Sequence, residues 1–288
     1  RTRMEAGDYA DAIVRYRQAL AVLDKLFPGA EHLDKAFYTA AIGGAQTRLG
    51  QQAQARQSLE AALAMRRRLL GPIDHPDIAS NLSSLAGVLR AQSDLQGAMA
   101  LQEQASAMRR RLVGNADHPS VAADMTSVAL AKAESGGDLD EALALTAQST
   151  AMYRRLYGNV DHPEIARNLS NQGHYLMRQN RLTEAIASFT QSLEMRRRLF
   201  NDAPHPSMAS TLDTLARLQA LSGHPDRAIA LSSQALRMRE ALHEGRPHRD
   251  IVASLRSLAD LTDKAGRSSD AAAYRSRADV MQRQLAQK

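Results

Sequence analysis

The stretch His75-Pro76-Asp77-Ile78-Ala79 recurs with small changes along the 288-residue chain, and residues 162–166 repeat it almost unchanged. Its histidine returns every 43 or 44 residues, and so does an alanine in the second half of each unit. A fixed period near forty residues is typical of one supersecondary unit stacked on copies of itself, so the sequence predicts a solenoid. The histidines are His32, His75, His118, His162, His205 and His248, and the alanines are Ala12, Ala55, Ala98, Ala142, Ala185, Ala228 and Ala271.

Each unit has the pattern of two helices. Pro76 and Asp77 suit a first helical turn, where proline's missing N–H is not needed and a carboxylate faces the positive end of the helix dipole. Apolar residues then follow at three- and four-residue spacing, and Gly114 stands where a second helix ends. We therefore predict an all-α fold of antiparallel helix pairs. The predicted pairs are 33–49 and 52–70, 76–92 and 95–113, 119–135 and 139–157, 163–179 and 182–200, 206–222 and 225–243, and 249–265 and 268–286, after a lone second helix at 8–27.

The pattern predicts a single repeat domain over residues 1–288. It consists of a half repeat and six full repeats: 1–30, then 31–73, 74–116, 117–160, 161–203, 204–246 and 247–288. Because the half repeat has only a second helix, we expect the chain to be a piece of a longer protein. That end would leave Ile13, Tyr16 and Leu20 without cover, so we expect self-association through it.

Small residues occupy one position in each helix of a pair. The periodic alanine lies early in the second helix, and a glycine or alanine lies at the matching position of the first helix. Small residues facing each other let two helices approach closely, which explains both periodicities. The first-helix positions are Gly43, Ala86, Ala129, Gly173, Ala216 and Ala259.

These features resemble tetratricopeptide repeats, and the long unit resembles the kinesin light chain type. The resemblance is carried by the His-Pro-Asp/Glu-x-Ala openings at 75–79 and 162–166 and by the Gly-Asn-x-Asp-His-Pro turns at 114–119 and 158–163. It implies a right-handed superhelical solenoid whose first helices line a concave groove. Low lysine with abundant alanine and arginine is typical of a GC-rich bacterial genome, so we expect a bacterial source.

One position departs from the kinesin light chain pattern. In that family, asparagines in the middle of the first helix help to hold an extended cargo peptide. Only Asn171 keeps the amide here, so we do not expect cargo recognition of that kind. The matching pairs are Ala40-Ala41, Ser83-Ser84, Thr126-Ser127, Ser170-Asn171, Asp213-Thr214 and Arg256-Ser257.

Composition and motifs argue against several classes of function. The chain has no cysteine, which excludes disulfides, thiolate metal sites and cysteine nucleophiles. It has no phosphate-binding loop, nucleophile elbow or zinc-protease motif, so we expect no catalytic residue and no cofactor. The periodic histidines cannot share a metal, because packed helices lie about 8–10 Å apart and metal–nitrogen bonds measure about 2 Å. We expect these histidines to pack or cap at helix entrances, and we expect no membrane association and a cytoplasmic location.

Arginine supplies most of the net charge of +6 and clusters near the ends of the second helices. We expect these clusters to form a solvated outer face, with ion pairs to an acid in the turn that follows, because cations favour the C-terminal end of a helix. A ridge that binds phosphate is the alternative. The clusters are Arg66-Arg67-Arg68, Arg109-Arg110-Arg111, Arg154-Arg155 and Arg196-Arg197-Arg198, with Arg237 and Arg239 in the next unit; the acids are Asp74, Asp117, Asp161 and Asp202.

The groove side of the first helices is the candidate site. Arg167, Asn171, His174 and Arg178 follow an i, i+4, i+7, i+11 spacing, which places four hydrogen-bond donors on one helical stripe. Donors in a row can hold the carboxylates or carbonyls of a peptide or helix, whereas the alternative is a merely solvated polar face. Asp213 and Asp260 project on the same side. The predicted groove residues are Arg48, Ser83, Arg90, Arg167, Ser170, Asn171, His174, Arg178, Arg217 and Arg256.

The sequence therefore predicts a protein-interaction scaffold and not an enzyme. Its partner would be a protein or peptide, acidic in character, held in the concave groove. One alternative is a sensor or regulatory arm of a larger signalling enzyme, associated with an NTPase or a protease. A minor alternative is nucleic-acid binding through the arginine ridges, although few aromatic residues stand among these arginines to stack on bases.

Overall fold

The computed structural model describes residues 6–114 and 116–286, which form thirteen α-helices and no strand. Every predicted helix is present, and no boundary differs from the prediction by more than two residues. The all-α repeat fold is therefore confirmed. The helices are α1 (Ala6–Leu26), α2 (Leu33–Arg48), α3 (Gln52–Leu70), α4 (Pro76–Ala91), α5 (Leu95–Val113), α6 (Pro119–Glu134), α7 (Leu139–Tyr157), α8 (Pro163–Arg178), α9 (Leu182–Leu199), α10 (Pro206–Leu221), α11 (Pro225–Leu242), α12 (Arg249–Lys264) and α13 (Ser268–Ala286).

The helices belong to two compact units that divide between Leu156 and Tyr157. Within each unit a helix packs on the helices next to it in sequence, for example α4 on α5 and α10 on α11. Such nearest-neighbour packing is the defining property of a repeat solenoid. A single domain over all 288 residues stays a prediction.

The six periodic histidines are N-caps, as expected. Each ring accepts a hydrogen bond at Nδ1 from the backbone N–H two residues further on, at 3.1–3.2 Å, as from Asp77 to His75. This bond satisfies one of the backbone donors that every helix start leaves unpaired. A proline follows the cap in α4, α6, α8 and α10.

Four of the capping rings also stack on a ring at the end of the preceding second helix. The centroids lie 4.6 Å apart for Phe27 and His32 and 3.9 Å apart for Phe200 and His205, with nearly parallel planes. The other two stacks join Tyr157 to His162 and His243 to His248. A single side chain thus caps one helix and packs against the end of another.

The helices of a pair approach closely at the periodic small residues. Ala55, Ala185 and Ala228 have no exposed surface. A Cβ atom on Gly43 would lie 3.2 Å from the carbonyl oxygen of Ala55, and one on Gly173 would lie 2.7 Å from the ring of Phe189. The small residues are therefore needed where the second helix meets its partner.

Leucine and isoleucine fill the space between a second helix and the next repeat. In the first unit Leu59 and Leu63 of α3 pack with Ile78 and Leu82 of α4. In the second unit the corresponding layer joins α11 to α12 through Leu236, Ile251 and Leu255. Both layers are almost fully buried, so each repeat boundary is an apolar core of its own.

The prediction for the N-terminal residues was wrong in detail. Ile13 is buried against Ile42 and Ala45, and Tyr16 and Leu20 pack on the same cluster. These residues are covered because α1 is a second helix and turns its apolar stripe toward the next repeat. Other apolar side chains of this end are exposed, namely Val14, Val22, Leu26, Phe27 and Phe37. Self-association stays a prediction.

One arginine in four of the five clusters lies at the repeat boundary and not in the solvated outer face. Arg196 donates from one nitrogen to Ser170 of its own repeat at 2.9 Å and to Thr211 of the next repeat at 2.8 Å. Arg109 and Arg239 bridge their first helices in the same way, through Ser83 and Asp124 and through Asp213 and Ser254. Arg66 bonds to Asn81 and to the carbonyl of Asp77 in the next repeat, and Tyr153 takes this position in repeat 117–160. We call these four arginines the bridging arginines.

The last arginine in four of the five clusters pairs with an acid, but not with the acid that the sequence predicted. Arg111 holds both carboxylate oxygens of Asp74, at 2.6 and 2.8 Å, and this hydrogen bonding lowers the pKa of Asp74. Asp74 precedes the first helix of the same repeat, whereas we expected the acid of the following turn. Arg68 pairs likewise with Glu31, Arg155 with Asp117 and Arg198 with Asp161. Among the described residues, only Arg197 and Asp202, at 4.0 Å, form a pair of the expected kind.

The last two repeats lack both members of this ion pair. Pro204 stands where the acid would precede α10, and Ala241 stands where the arginine would end α11. Pro247 and Gln284 make the same double replacement around α12 and α13. The two positions thus change together, as expected of side chains that bind each other.

The close approach at Gly173 yields a stability prediction. Gly173→Ala should lower the free energy of unfolding by about 1–3 kcal/mol, because the buried Phe189 ring cannot move away without strain. Gly87→Ala is the matched control, since a Cβ there meets open space in the middle of α4. It should raise stability by about 0.5–1 kcal/mol. Urea unfolding of the two variants measures both changes, and equal effects would contradict the packing argument.

The buried carboxylate of Asp124 yields a second prediction. Its Oδ1 accepts from Gln102 and Arg109, its Oδ2 has no partner among the described residues, and burial raises its pKa although Arg109 partly offsets this. At the matching position Asn81 accepts from Arg66 and also donates to the carbonyl of Leu59 at 2.7 Å. Asp124→Asn should therefore raise the free energy of unfolding at pH 7 by about 1 kcal/mol, the net worth of one hydrogen bond.

The gain from Asp124→Asn should depend on pH. Because the pKa of Asp124 is raised in the folded state, its charged form lowers the free energy of unfolding. This loss of stability is present above the folded-state pKa and disappears as the carboxylate becomes protonated. The difference between variant and wild type should shrink as pH falls toward 3.9, the ordinary pKa of aspartate. Asp11→Asn, at an exposed position of α1, is the control. A loss of stability at pH 7 would show instead that the charge of Asp124 is needed to hold Arg109.

Candidate functional site

The predicted donor stripe lies on α8 in the second unit. Arg167 and Arg178 are exposed, and Asn171 is half-buried between them. Arg167 forms an ion pair with Glu164 one turn earlier, so part of its charge is already neutralised.

His174 lies at the centre of this stripe and is held by an aromatic contact. Its ring meets the ring of Phe189 edge to face, with centroids 4.8 Å apart. Neighbouring side chains displace water from part of the ring, which lowers the pKa of His174, and the charge of Arg217 lowers it further. Because the ordinary pKa of histidine is about 6.5, His174 is neutral at pH 7 and can donate one hydrogen bond and accept another.

Arg217 joins this stripe from the next repeat. It is exposed on α10, and its guanidinium reaches back to α8, where Nη2 lies 3.6 Å from the sulfur of Met177. A thioether is a weak acceptor that leaves the charge of Arg217 uncompensated. The charge of Arg217 therefore acts on His174 from the neighbouring repeat, and the groove site itself stays a prediction.

Two predicted groove residues already form hydrogen bonds within the protein. The Ser170 hydroxyl contacts Ser192 at 2.8 Å and accepts from Arg196, and the Ser83 hydroxyl accepts from Arg109 at 3.1 Å. Both serines hold bridging arginines. A role in binding would add to this structural role.

The remaining predicted residues are spread over both units. In the first unit Arg48 is exposed at the end of α2, and Arg90 forms an ion pair with Glu134 at 3.2 Å. Ser83 and Arg90 also line a shallow cleft of about 200 Å³. In the second unit Arg256 is exposed on α12. The first unit thus holds Arg48, Ser83 and Arg90, and the other seven predicted residues lie in the second.

A larger cleft in the second unit was not predicted. It measures about 660 Å³ and lies between the first helices α10 and α12, with Arg239 of α11 beneath them. The sequence placed Asp213 and Asp260 on this side but did not indicate a cavity, because the lining comes from two repeats. The charged and polar lining residues are Asp213, Thr214, Arg217, Arg239, Asp250, Ser254, Ser257, Asp260 and Lys264; the apolar ones are Ala216, Ala220, Leu221, Ala253 and Leu261.

One group of described residues has the composition of a metal site. The ligand atoms of His243, His248 and Asp250 lie within 4.8 Å of one another. The two imidazoles, however, stack with nearly parallel planes, and their ring centroids lie 3.6 Å apart. Their in-plane lone pairs therefore do not converge on one point. His248 also uses Nδ1 to cap α12. The group repeats the ring-on-cap stack of the other repeats, and its geometry does not fit a tetrahedral ion.

The outer arginine ridges offer less free charge than the sequence suggested. Four of the clustered arginines are bridging arginines, and the last arginine of four clusters is paired with an acid. The exposed arginines that remain are Arg67, Arg110, Arg154 and Arg237. None of the described helices is long and apolar enough to cross a membrane.

Comparisons with known proteins give the family and the fold. A tetratricopeptide repeat family model matches residues 1–68, 74–155 and 164–241. No curated protein was found to match the chain. Among solved structures, BtubC (BKLC) from P. vanneervenii is similar, with 20% sequence identity, coverage of 81% of this chain and 92% of that chain, and a TM-score of 0.68.

Two further solved structures have the same fold. One is a putative kinesin light chain from Podospora anserina with nearly identical TPR-like repeats, at 22% identity, 74% and 99% coverage of the two chains and a TM-score of 0.63. The other is a Rap protein complexed with Competence and Sporulation Factor, at 13% identity, 100% and 89% coverage and a TM-score of 0.61.

The family model matches most of the chain, and the kinesin light chain resemblance is confirmed at the level of fold. Identities this low carry no information on the partner. The capped helix pairs, their small-residue contacts and the model match lead to one conclusion: this chain belongs to the tetratricopeptide repeat family.

Proposed function

We propose that this chain is a protein-interaction scaffold, and that the first-helix face of its second unit binds an acidic segment of a partner protein. The observation that carries the proposal is the position of Arg217. It is exposed beside His174, and its guanidinium contacts a thioether and not a carboxylate. Arg198, by contrast, already holds the carboxylate of Asp161.

The arrangement of the donors favours an extended partner over a small molecule. Asn171, His174 and Arg178 follow the length of α8, and Arg217 adds a donor from the neighbouring repeat. Charge-assisted hydrogen bonds from arginine to carboxylate are about twice as strong as neutral ones. A peptide with several carboxylates can use these donors in turn, which a compact ligand cannot do.

The family and its relatives support this proposal only by analogy. Repeat solenoids commonly bind partners on the surfaces that their stacked units create. The Rap protein described above was solved in complex with Competence and Sporulation Factor, so this fold can hold a second molecule. The fold alone does not determine the ligand, so the proposed acidic partner is inferred from the residues of α8 and α10.

The other hypotheses receive less support. Nucleic-acid binding needs arginines that are available to contact phosphates, whereas most clustered arginines are bridging arginines or are paired with acids. No described residue group favours an enzymatic activity. The role as an arm of a larger signalling enzyme, the cytoplasmic location and the bacterial source stay predictions.

Charge reversal on the donor stripe tests the proposal. The triple variant Arg167→Glu, Arg178→Glu, Arg217→Glu should bind a fluorescein-labelled glutamate-rich peptide at least about 100-fold more weakly, because each charged hydrogen bond contributes about 1.5–3 kcal/mol. Fluorescence polarisation measures the affinity, and circular dichroism should show unchanged helix content.

The matched control reverses three exposed arginines on second helices, Arg227, Arg237 and Arg283. It has the same net charge as the test variant, so it separates local contacts from general electrostatics. Equal weakening in both variants, or no binding by the wild type, would overturn the proposal.

A further inference from the structure

We propose that the cleft between α10 and α12 binds a cationic side chain of the same partner segment, so that the partner carries a lysine or arginine next to its acidic stretch. This inference rests on the proposed function and adds a second charge requirement to it. A segment with both charges can bind in only one direction along the face.

The cleft has two exposed acids, Asp250 and Asp260. A third acid, Asp213, is half-buried and forms an ion pair with Arg239, which is mostly buried and also bonds to Ser254. Arg217 reaches away to Met177 on α8, which leaves Lys264 as the cation at the α12 wall.

Asp213 has unused hydrogen-bonding capacity at the floor. Its Oδ2 accepts from Arg239, while its Oδ1 is covered and has no hydrogen-bond partner among the described residues. A buried acceptor without a donor is unfavourable. The terminal torsion of a carboxylate is soft, so a small rotation can present an oxygen to a donor that enters the cleft.

The apolar lining fits the stem of a long cationic side chain. Ala220, Leu221 and Leu261 line the cleft beside the carboxylates, and Leu221 is 65% exposed. Lysine and arginine bury their methylene groups along such surfaces while the charged head reaches a polar group. A lysine head between Asp213 and Asp260 would leave its stem over these side chains.

Arg217 connects the acidic cleft to the basic stripe, because it lines the former and contacts α8 of the latter. Neighbouring packed helices lie about 8–10 Å apart. An extended peptide advances about 3.3 Å per residue. The lysine or arginine should therefore lie roughly three positions from the nearest acidic residue, on one side of the acidic stretch.

Three fluorescein-labelled peptides test this inference. The first is the glutamate-rich peptide. The second adds one lysine three positions before its first glutamate and one three positions beyond its last, so that either direction of binding is covered. The third has norleucine in place of both lysines. The lysine peptide should bind the wild-type protein about fivefold more tightly than the norleucine peptide, as expected of a partly exposed ion pair. Norleucine keeps the stem, so the comparison isolates the charge.

Asp260→Asn should abolish the difference between the lysine and norleucine peptides without changing the affinity for the glutamate-rich peptide. Asp260 is exposed, so the variant should fold, and circular dichroism checks this. Asp279→Asn, at an exposed position of α13, is the matched control and should preserve the difference.

Three results would overturn the inference in distinguishable ways. If the lysine and norleucine peptides bind the wild type equally, the cationic subsite is wrong while the proposed function stands. If none of the three peptides binds, the proposed function falls and this inference falls with it. Persistence of the lysine preference in Asp260→Asn would also exclude the assigned cleft.

Discussion

The buried guanidinium near the end of a second helix is the interaction on which the repeat boundaries depend. Arg109, Arg196 and Arg239 each join the first helix of one repeat to the first helix of the next. A guanidinium offers five donors in a fixed plane, so it can serve two helices at once in a way that lysine cannot. Apolar layers provide the area of contact, and the bridging arginines set the alignment between repeats.

The same arginines limit what the groove can offer a partner. Ser83 and Ser170 lie on the first-helix face, yet their hydroxyls accept from bridging arginines. The predicted donors that do not hold a bridging arginine lie nearer the ends of α8 and α10, namely His174, Arg178 and Arg217. The bridging contacts and the proposed binding site thus use different turns of the same helices.

The sequence predicted the helices well because their signals are local. The histidine caps, the following prolines and the small-residue contacts each lie within one unit, and the structure confirms them. The different roles of three consecutive arginines could not be predicted from the sequence. At 3.6 residues per turn the three side chains point in different directions. Only the packing of the helices decides which of them is buried. The acid paired with Arg111 was also assigned wrongly, because Asp74 is distant in sequence and near in space. For the candidate site, periodicity located the stripe of α8, but the cleft needed two repeats placed together.

The bridging arginines imply that these repeats are not interchangeable modules. At four of the boundaries, the earlier repeat carries an arginine that bonds to an amide, hydroxyl or carboxylate of its successor, as Arg66 bonds to Asn81 and Arg196 to Thr211. A duplication or deletion within such an array would be tolerated only where the new neighbour supplies an acceptor at that site. Gene rearrangements in this lineage should therefore preserve matched junctions. The residues at the boundaries between repeats should record past rearrangements better than the residues inside a repeat.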